Sequence, residues 1–503
     1  MNVLILILYT YGLFSVSQGG FVDWLKDTWD DLKKLNFEFW NKHPASRILY
    51  EHVDPKVDPC DNFYRFSCGN WIKTKERKKG NSESFHYDSS TKNFDKFKDG
   101  NILFVFIYLF SEFIDGKYNN ESKVINTLYK LRQKCKKLPI KTIFDCNLKI
   151  LNFGRYALSS VFLKKNIIKS EEDGEYDTVE NIIMLIKHEF RLLIDEKKDI
   201  FNEETRNNFK YKLDKMEFVR NFDKLDLSNV TSMESCYDNI GIDYNDHITD
   251  ILEKIKNLKA LSKKEKDNLD SCRGKIFQPK EFMLQYVYSD SWYDPYENYF
   301  SVNSNYLNEP SYSKNYPLSF NYGYLGSTIA HEILHAFDSK NFKLVLEGDN
   351  KNYFNISQES IENYKERSDC LVKQYGMQKE SITNKNINGL LTLNENIADN
   401  GGLKIAHRAY MKYVQGYDGE KKKVPRFEQF TDEQLFFISY GRSFCEYVSK
   451  DRLEERINTD VHSPGEIRTN VALSNYKPFS DAFKCELKSK MNPEDKCELW
   501  KNH

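Results

Sequence analysis

HEILH, residues 331–335, places two histidines four positions apart, with a glutamate directly after the first. Positions four apart lie on one face of a helix, so His331 and His335 can present two imidazoles to one metal ion. Zinc accepts neutral histidine nitrogen, and a catalytic zinc site has three protein ligands and an open position for water. Glu332 projects beside the first ligand, where its carboxylate can take a proton from that water. The alternative is a helix that carries two histidines by chance, so the interpretation requires a third ligand.

A candidate for that ligand lies downstream in NENIADNGG (394–402), where Glu395 and Asp399 are also four positions apart. A carboxylate at Glu395 would complete a site of two histidines and one glutamate. Asp399 could then accept the second N–H of a ligating histidine, which fixes the ring and raises its basicity. The alternative is a solvated acidic helix face.

A third cluster is VHSPGEIR (461–468), in which Pro464 and Gly465 indicate a turn. Hydrolysis of an acyl group needs donors aimed at the developing oxyanion, and His462 is placed to supply one. Arg468 can hold a carbonyl or carboxylate by a bidentate contact. The alternative is a polar surface loop.

The composition bounds the class of protein. The chain has 503 residues, of which 40% are apolar and 30% charged, and this is typical of globular proteins. Its length corresponds to roughly two to four domain-sized units. The 74 basic and 75 acidic residues leave a net charge of −1. This balance gives no reason to expect a nucleic-acid or membrane-surface partner.

The N-terminal segment MNVLILILYTYGLFSVSQGG is almost wholly apolar from Val3 to Val16 and is followed by small residues. The apolar run is short for a membrane span and suits a secretory signal. We therefore predict a signal peptide over residues 1–17 and a secreted, extracellular protein without a stable membrane span once that segment is removed. An uncleaved N-terminal anchor is the alternative. A second apolar run, ILFVFIYLFSEFI (102–114), predicts a buried helix.

Cysteine usage agrees with secretion. The chain has ten cysteines, and none form a CxxC pair. This pattern favours disulfides in an oxidising compartment over a zinc ribbon. Asn-X-Ser/Thr motifs at Asn120, Asn229 and Asn355 predict N-glycosylation.

The middle of the chain is predicted to be helical. Residues 86–264 contain periodic apolar positions, as in VENIIMLIKHEFRLLI (179–194), which indicate helices packed on one another. Tyr, Ser, Asn and Pro dominate from about residue 275 to 322, as expected of strands and loops. Helical segments follow from HEILH to the end of the chain.

The three clusters occur together and in this order, and the combination resembles the neprilysin family (M13) of zinc metallopeptidases. VDPCDNFYRFSCGNWI (57–72), SDCLVKQYG (368–376) and MNPEDKCELW (491–500) are also similar to segments of that family. The resemblance covers residues 50–75 and 290–500. It implies a mainly α (α+β) fold, with a thermolysin-like zinc catalytic domain formed from both chain ends and an inserted helical domain. The expected boundaries are 20–85, 86–264 and 265–503.

The resemblance also implies a role for each site residue. One zinc ion would be held by His331, His335 and Glu395, with Glu332 as the base. Asp399 would orient a ligand histidine, His462 would stabilise the oxyanion and Arg468 would hold the substrate backbone. In VNSNY (302–306), Asn303 and the backbone of Ser304 would bind peptide like an added strand.

The family's disulfides imply the pairs Cys60–Cys485, Cys68–Cys445 and Cys370–Cys497. Cys135, Cys146, Cys236 and Cys272 then allow three connectivities, and the sequence does not choose among them.

Two departures from the family bear on substrate recognition. The chain is shorter than its relatives in the middle helical region, so the cover over the cleft is expected to be reduced. The segment NEPSYSKNYPLSFNYG (308–323) is similar to a trimmed version of the family's substrate-binding strand. The expected function is a secreted zinc endopeptidase that acts on peptides. The rival is a catalytically weak or inactive relative that binds peptides or receptors without turnover.

Overall fold

The computed structural model describes residues 39–40, 42–77, 85–86, 116, 118–220, 226–265, 268, 270–278, 290–344, 356–416 and 423–500. The predicted signal peptide (1–17), the predicted buried helix (102–114) and Asn355 lie outside the described residues.

The fold is mainly α-helical, and the prediction of this fold class is confirmed. In chain order the helices are α1 (Pro44–His52), α2 (Phe63–Arg77), α3 (Lys123–Cys135), α4 (Ile140–Phe153), α5 (Arg155–Glu172), α6 (Glu175–Glu196), α7 (Glu203–Lys215), α8 (Val230–Asp238), α9 (Ile248–Glu265), α10 (Cys272–Phe277), α11 (Leu318–Asn321), α12 (Ser327–His335), α13 (Gln358–Gly376), α14 (Leu393–Gly416), α15 (Asp432–Ser443), α16 (Lys450–Thr459), α17 (Gly465–Asn475) and α18 (Lys477–Phe483). None of these helices, which belong to the described part of the chain, is long and apolar enough to cross a membrane.

Short strands form two small sheets. They are β1 (Phe85–His86), β2 (Glu217–Phe218), β3 (Ser291–Asp294), β4 (Tyr299–Val302) and β5 (Glu446–Tyr447). β1 pairs with β5, and the other sheet has the order β2-β4-β3. β4 runs parallel to β2 and antiparallel to β3, with Ser291 opposite Val302. Among the described residues, β3 is therefore an edge strand, and it packs beside α12.

The larger hydrophobic core combines both ends of the chain. It contains residues of α1, α2, α6 and α7 together with residues of most elements from β4 onward. The apolar stripe of α6, which includes Ile182, Ile186 and Phe190, is buried in this core. A stripe at this spacing buries one face of a helix. α6 packs against α14, the helix that carries Glu395.

A second core is built from residues between 124 and 277. It contains residues 124–163 and 227–277 but none of α6 or α7. This division differs from the expected inserted domain of residues 86–264, because α6 and α7 pack into the larger core and α10 into the smaller one. We propose an inserted unit made of residues 118–172 and 226–278.

Five disulfides cross-link the described residues. The pairs implied by the family resemblance, Cys60–Cys485, Cys68–Cys445 and Cys370–Cys497, are present. Of the three connectivities left open, the structure has Cys135–Cys146 and Cys236–Cys272. The pairs with sequence separations of 425 and 377 tie α2 and the segment before it to the C-terminal half.

Candidate metal centre

α12 turns an apolar face to the core and the HEILH histidines to a cleft. Ile329, Ile333 and Leu334 are fully buried in the larger core, which fixes the rotation of the helix about its axis. His331 and His335 therefore share the opposite side. Their Nε2 atoms lie 3.0 Å apart.

α14 brings the third ligand candidate to the same point. Glu395 Oε2 lies 3.2 Å from His331 Nε2 and 3.5 Å from His335 Nε2. Ligand atoms that bind zinc tetrahedrally, at 2.0–2.2 Å from the metal, lie roughly 3.3 Å from one another. The three atoms thus have the spacing that a shared zinc ion requires, and the donor set of two imidazoles and one carboxylate is one that zinc accepts. The residues fit the metal.

The acid–base state of this cluster follows from its burial and its partners. Burial raises the pKa of Glu395, but hydrogen bonds from His331, His335 and His462 outweigh it and hold that pKa well below its usual range. Burial lowers the pKa of His335, while Asp338 and Glu395 outweigh it and raise that pKa well above normal.

The far nitrogens of the two ligand candidates are each held by a carboxylate. His331 Nδ1 lies 2.9 Å from Asp399 Oδ1, and His335 Nδ1 lies 3.1 Å from Asp338 Oδ2. Such partners fix the tautomer and the orientation of a metal ligand. Sequence reasoning found Asp399 but missed Asp338. The spacing in the sequence could have indicated Asp338, because it follows His335 by three positions.

Arg468 is anchored on Asp399. Its Nε and Nη2 groups donate to the two carboxylate oxygens of Asp399, both at 2.7 Å. Its guanidinium carbon lies 4.7 Å from the centre of the Phe444 ring. Burial raises the pKa of Asp399, but Arg468 and His331 outweigh it and lower that pKa to about 2. The Arg468 side chain is therefore rigidly held at the edge of the site.

His462 reaches the same cluster from the loop before α17. Its Nε2 lies 3.1 Å from Glu395 Oε2, and its Nδ1 lies 2.9 Å from Asp460 Oδ1. Burial lowers the pKa of His462, but Asp460 and Glu395 outweigh it and raise that pKa to about 9. His462 is thus a cationic donor at neutral pH. Sequence reasoning missed Asp460, which is itself paired with Arg456.

Glu332 lies beside the metal cluster and is 6% exposed. Ser291, on the edge strand β3, donates its hydroxyl to Glu332 Oε1 at 2.8 Å. This contact joins the base candidate to the strand, and nothing in the local sequence around HEILH indicates it.

Two clefts meet at the centre. One, of about 210 Å³, is lined by Tyr306, Phe444 and Arg468. The other, of about 400 Å³, is lined by Trp292 and Leu391. The two share one ligand candidate, the base candidate and a residue of the edge strand: Ser291, His331, Glu332 and His462.

The structure places Asn303 beside β3, the strand that lines the site. Asn303 is buried at the end of β4, and its N–H donates to Asp290 O at 3.1 Å. Asn303 does not line either of the two clefts, whereas Ser291 of β3 lines both. β3 precedes VNSNY in the chain, so the short segment 308–323 does not remove the strand at the site. A hairpin pattern in the sequence could have indicated β3, because the turn-forming DPYEN (294–298) separates two aromatic-rich strands.

Close packing of α12 on α14 sets the metal geometry. A Cβ added at Gly402 would lie 2.8 Å from His331 N and 3.0 Å from His331 Cα. These are backbone atoms of a helix, so any larger residue must push the two helices apart. Gly402 therefore allows Glu395 and Asp399 to reach the histidines.

We expect Gly402→Ala to weaken zinc binding by about tenfold or more and to destabilise the protein by about 1–3 kcal/mol, the usual cost of overpacking. Zinc titration and thermal unfolding measure the two effects. Gly416→Ala, in the last turn of the same helix with nothing within 4 Å of the added Cβ, is the matched control and should bind zinc normally. Unchanged zinc affinity in Gly402→Ala would contradict this account of the helix packing.

Comparison with known proteins agrees with the geometry. Residues 290–499 match the family model "Peptidase family M13". The chain is 37% identical over 226 residues to neprilysin-11 of Caenorhabditis elegans. The aligned region covers 45% of this chain and 26% of that protein. It is 36% identical over 247 residues to human neprilysin, and the aligned region covers 49% of this chain and 32% of that protein. It is 36% identical over 211 residues to endothelin-converting enzyme 1 of Rattus norvegicus, and the aligned region covers 42% of this chain and 27% of that protein. The chain thus matches less than a third of the length of these relatives.

Solved structures share the fold. The "Haemonchus galactose containing glycoprotein complex" aligns with a TM-score of 0.53 at 24% identity and covers 72% of this chain and 56% of that one. Zinc metalloprotease Zmp1 of Mycobacterium tuberculosis in its open state aligns with a TM-score of 0.50 at 20% identity. This alignment covers 71% of the present chain and 52% of the Zmp1 chain.

A helix with the HExxH pattern and a glutamate from a second helix define the class of metallopeptidase centres with two histidines and one carboxylate. Within that class, residues 290–499 match the model of peptidase family M13 and are similar in sequence to neprilysins.

Proposed function

We propose that the protein is a secreted zinc-dependent endopeptidase that hydrolyses peptide bonds of peptides or small proteins, with one zinc ion per chain. The observation that carries the proposal is the convergence of His331 Nε2, His335 Nε2 and Glu395 Oε2 at 3.0–3.5 Å from one another. A buried glutamate, Glu332, lies directly beside them. The family match of this region supports the same reading.

The roles of the protein groups follow from their positions. When bound, zinc supplies Lewis acidity toward a substrate carbonyl and lowers the pKa of a water molecule at its open position. The carboxylate of Glu332 would accept a proton from the attacking water and pass it to the leaving amine. His462, cationic at neutral pH, donates from Nε2 to the developing oxyanion. Asp399 and Asp338 keep the two ligand imidazoles oriented.

The backbone of β3 is the proposed substrate-binding edge. The bond from Asn303 N–H to Asp290 O makes residues 290 and 303 a hydrogen-bonded pair of the antiparallel ladder. Because such pairs alternate along the ladder, the N–H and C=O groups of Ser291 and Tyr293 point away from β4. A peptide added as a further strand would meet these groups beside the metal. We therefore propose that Ser291 and Tyr293 take the place expected of Asn303 and Ser304.

Arg468 is the proposed contact to a substrate carbonyl in the smaller cleft. Its Nε and Nη2 are occupied by Asp399, so its Nη1 is the group offered to the substrate. Orientation by Asp399 fixes the direction of that donor.

Secretion is supported by the five disulfides, because such bonds persist in oxidising compartments. Glycosylation remains a prediction for Asn120 and Asn229, both of which are exposed. Asn229 also caps α8 by accepting from Ser232 N.

Removal of the metal tests the function. The zinc-loaded protein should cleave internally quenched fluorescent peptides, lose the activity on treatment with 1,10-phenanthroline and regain it on addition of zinc. A protein that binds zinc stoichiometrically yet cleaves no member of a diverse peptide library would instead be a peptide-binding relative without turnover.

A further inference from the structure

The hydroxyl of Ser291 is a polar group at the site that has no role in the proposed reaction so far. Its hydroxyl donates to Glu332 Oε1 at 2.8 Å, and Glu332 is 6% exposed. Within the part of the chain that the structure describes, the hydroxyl of Ser291 is the hydrogen-bond donor to this carboxylate, and no ion pair reaches it. A buried carboxylate with one protein donor depends on that donor for its orientation.

We propose that Ser291 is a positioning residue for the general base, an inference that rests on the function proposed above. The hydroxyl holds Oε1 and leaves Oε2 to receive the proton. Hydrogen bonds to a charged group contribute more than neutral ones, so this contact fixes the carboxylate firmly. Displacement of a reacting group by about 1 Å costs on the order of a hundredfold in rate.

The contact between Ser291 and Glu332 has a second consequence, because Ser291 lies on the edge strand β3. Its backbone faces the edge where the substrate strand is proposed to add, while its side chain holds the base on α12. One residue therefore sets the distance between the peptide and the carboxylate. The backbone contributes to substrate binding and the hydroxyl to the rate, so the two can be separated by a side-chain substitution.

Ser291→Ala is expected to lower kcat roughly ten- to hundredfold, since it removes one hydrogen bond to a charged group. KM should stay within about twofold, because the backbone edge is kept, and zinc content should be unchanged. Ser291→Thr, which retains a hydroxyl at the same position, should restore most of kcat. The measurement is steady-state hydrolysis of a quenched peptide by zinc-loaded protein.

Ser301→Ala is the matched control. Ser301 lies on the neighbouring strand β4 opposite Trp292, and its hydroxyl donates to Val219 O at 2.9 Å. A merely structural role for the Ser291 hydroxyl predicts that both alanine variants lower thermal stability and leave kcat alone.

In a Glu332→Asp background, where the shorter acid is withdrawn from Ser291, the added effect of Ser291→Ala on kcat should shrink.

An unchanged kcat in Ser291→Ala, an equal loss in Ser301→Ala or a failure of Ser291→Thr to recover kcat would each overturn this inference. In all three cases the unmodified protein still hydrolyses the peptide, so the proposed function stands. Absence of hydrolysis by the unmodified zinc-loaded protein overturns the proposed function and this inference together.

Discussion

Glu332→Gln is expected to lower kcat by about a thousandfold while the protein keeps its zinc. Glutamine has nearly the shape of glutamate and can still accept the hydrogen bond from Ser291, but it cannot take a proton. General-base catalysis contributes about 10²–10⁴ in rate, so a loss of this size is the expected signature. KM should change little, since the substitution removes an interaction made in the transition state.

The control for this substitution is Glu359→Gln, a change of the same chemistry at an exposed position in the first turn of α13. That variant should keep full activity. Steady-state kinetics on a quenched peptide, together with zinc analysis of each sample, provide the test. A Glu332→Gln variant that retains more than about a tenth of kcat would remove Glu332 from the role of base.

Glu395→Gln is expected to lower zinc affinity on the order of a thousandfold and to abolish hydrolysis at limiting zinc. The neutral amide is a poor replacement for a carboxylate ligand, and structural zinc sites derive several kcal/mol from each ligand. The rise in thermal stability that zinc gives the unmodified protein should disappear, because a ligand that binds only the folded state stabilises it by mass action.

Asp338→Asn is the informative comparison for Glu395→Gln. It removes charge from the partner of His335 Nδ1 and leaves all three ligand atoms in place. Loss of such a partner costs about 10–100-fold in metal affinity. Isothermal titration with zinc ranks the three proteins. Equal affinities for Glu395→Gln and the unmodified protein would exclude Glu395 as a ligand.

The sequence indicated the candidate metal ligands because their geometry is largely local. Spacings of four positions put His331 with His335, and Glu395 with Asp399, on single helix faces. The approach of the two helices is a tertiary property that depends on the close contact of Gly402 with the His331 backbone. Helical spacing does not reveal that contact, so the residues alone offered Glu395 as one candidate for the third ligand, and the family resemblance implied that the two pairs meet.

The position of the substrate strand stays a prediction for a different reason. VNSNY was matched by its letters, whereas the strand at the cleft is determined by the hairpin that ends at Asp294 and resumes at Tyr299. Ser291 carries no local signal, since its partner Glu332 lies on a distant helix. The boundaries of the inserted unit stay a prediction, because apolar periodicity shows that α6 buries one face but not which core that face joins.

The most direct test of the central claim is a crystal structure of the zinc-loaded protein with anomalous data collected on both sides of the zinc absorption edge. The account predicts one strong anomalous peak at about 2.0–2.2 Å from His331 Nε2, His335 Nε2 and a Glu395 carboxylate oxygen. A peak located elsewhere, or a zinc ion bound by the two histidines with Glu395 turned away, would contradict it.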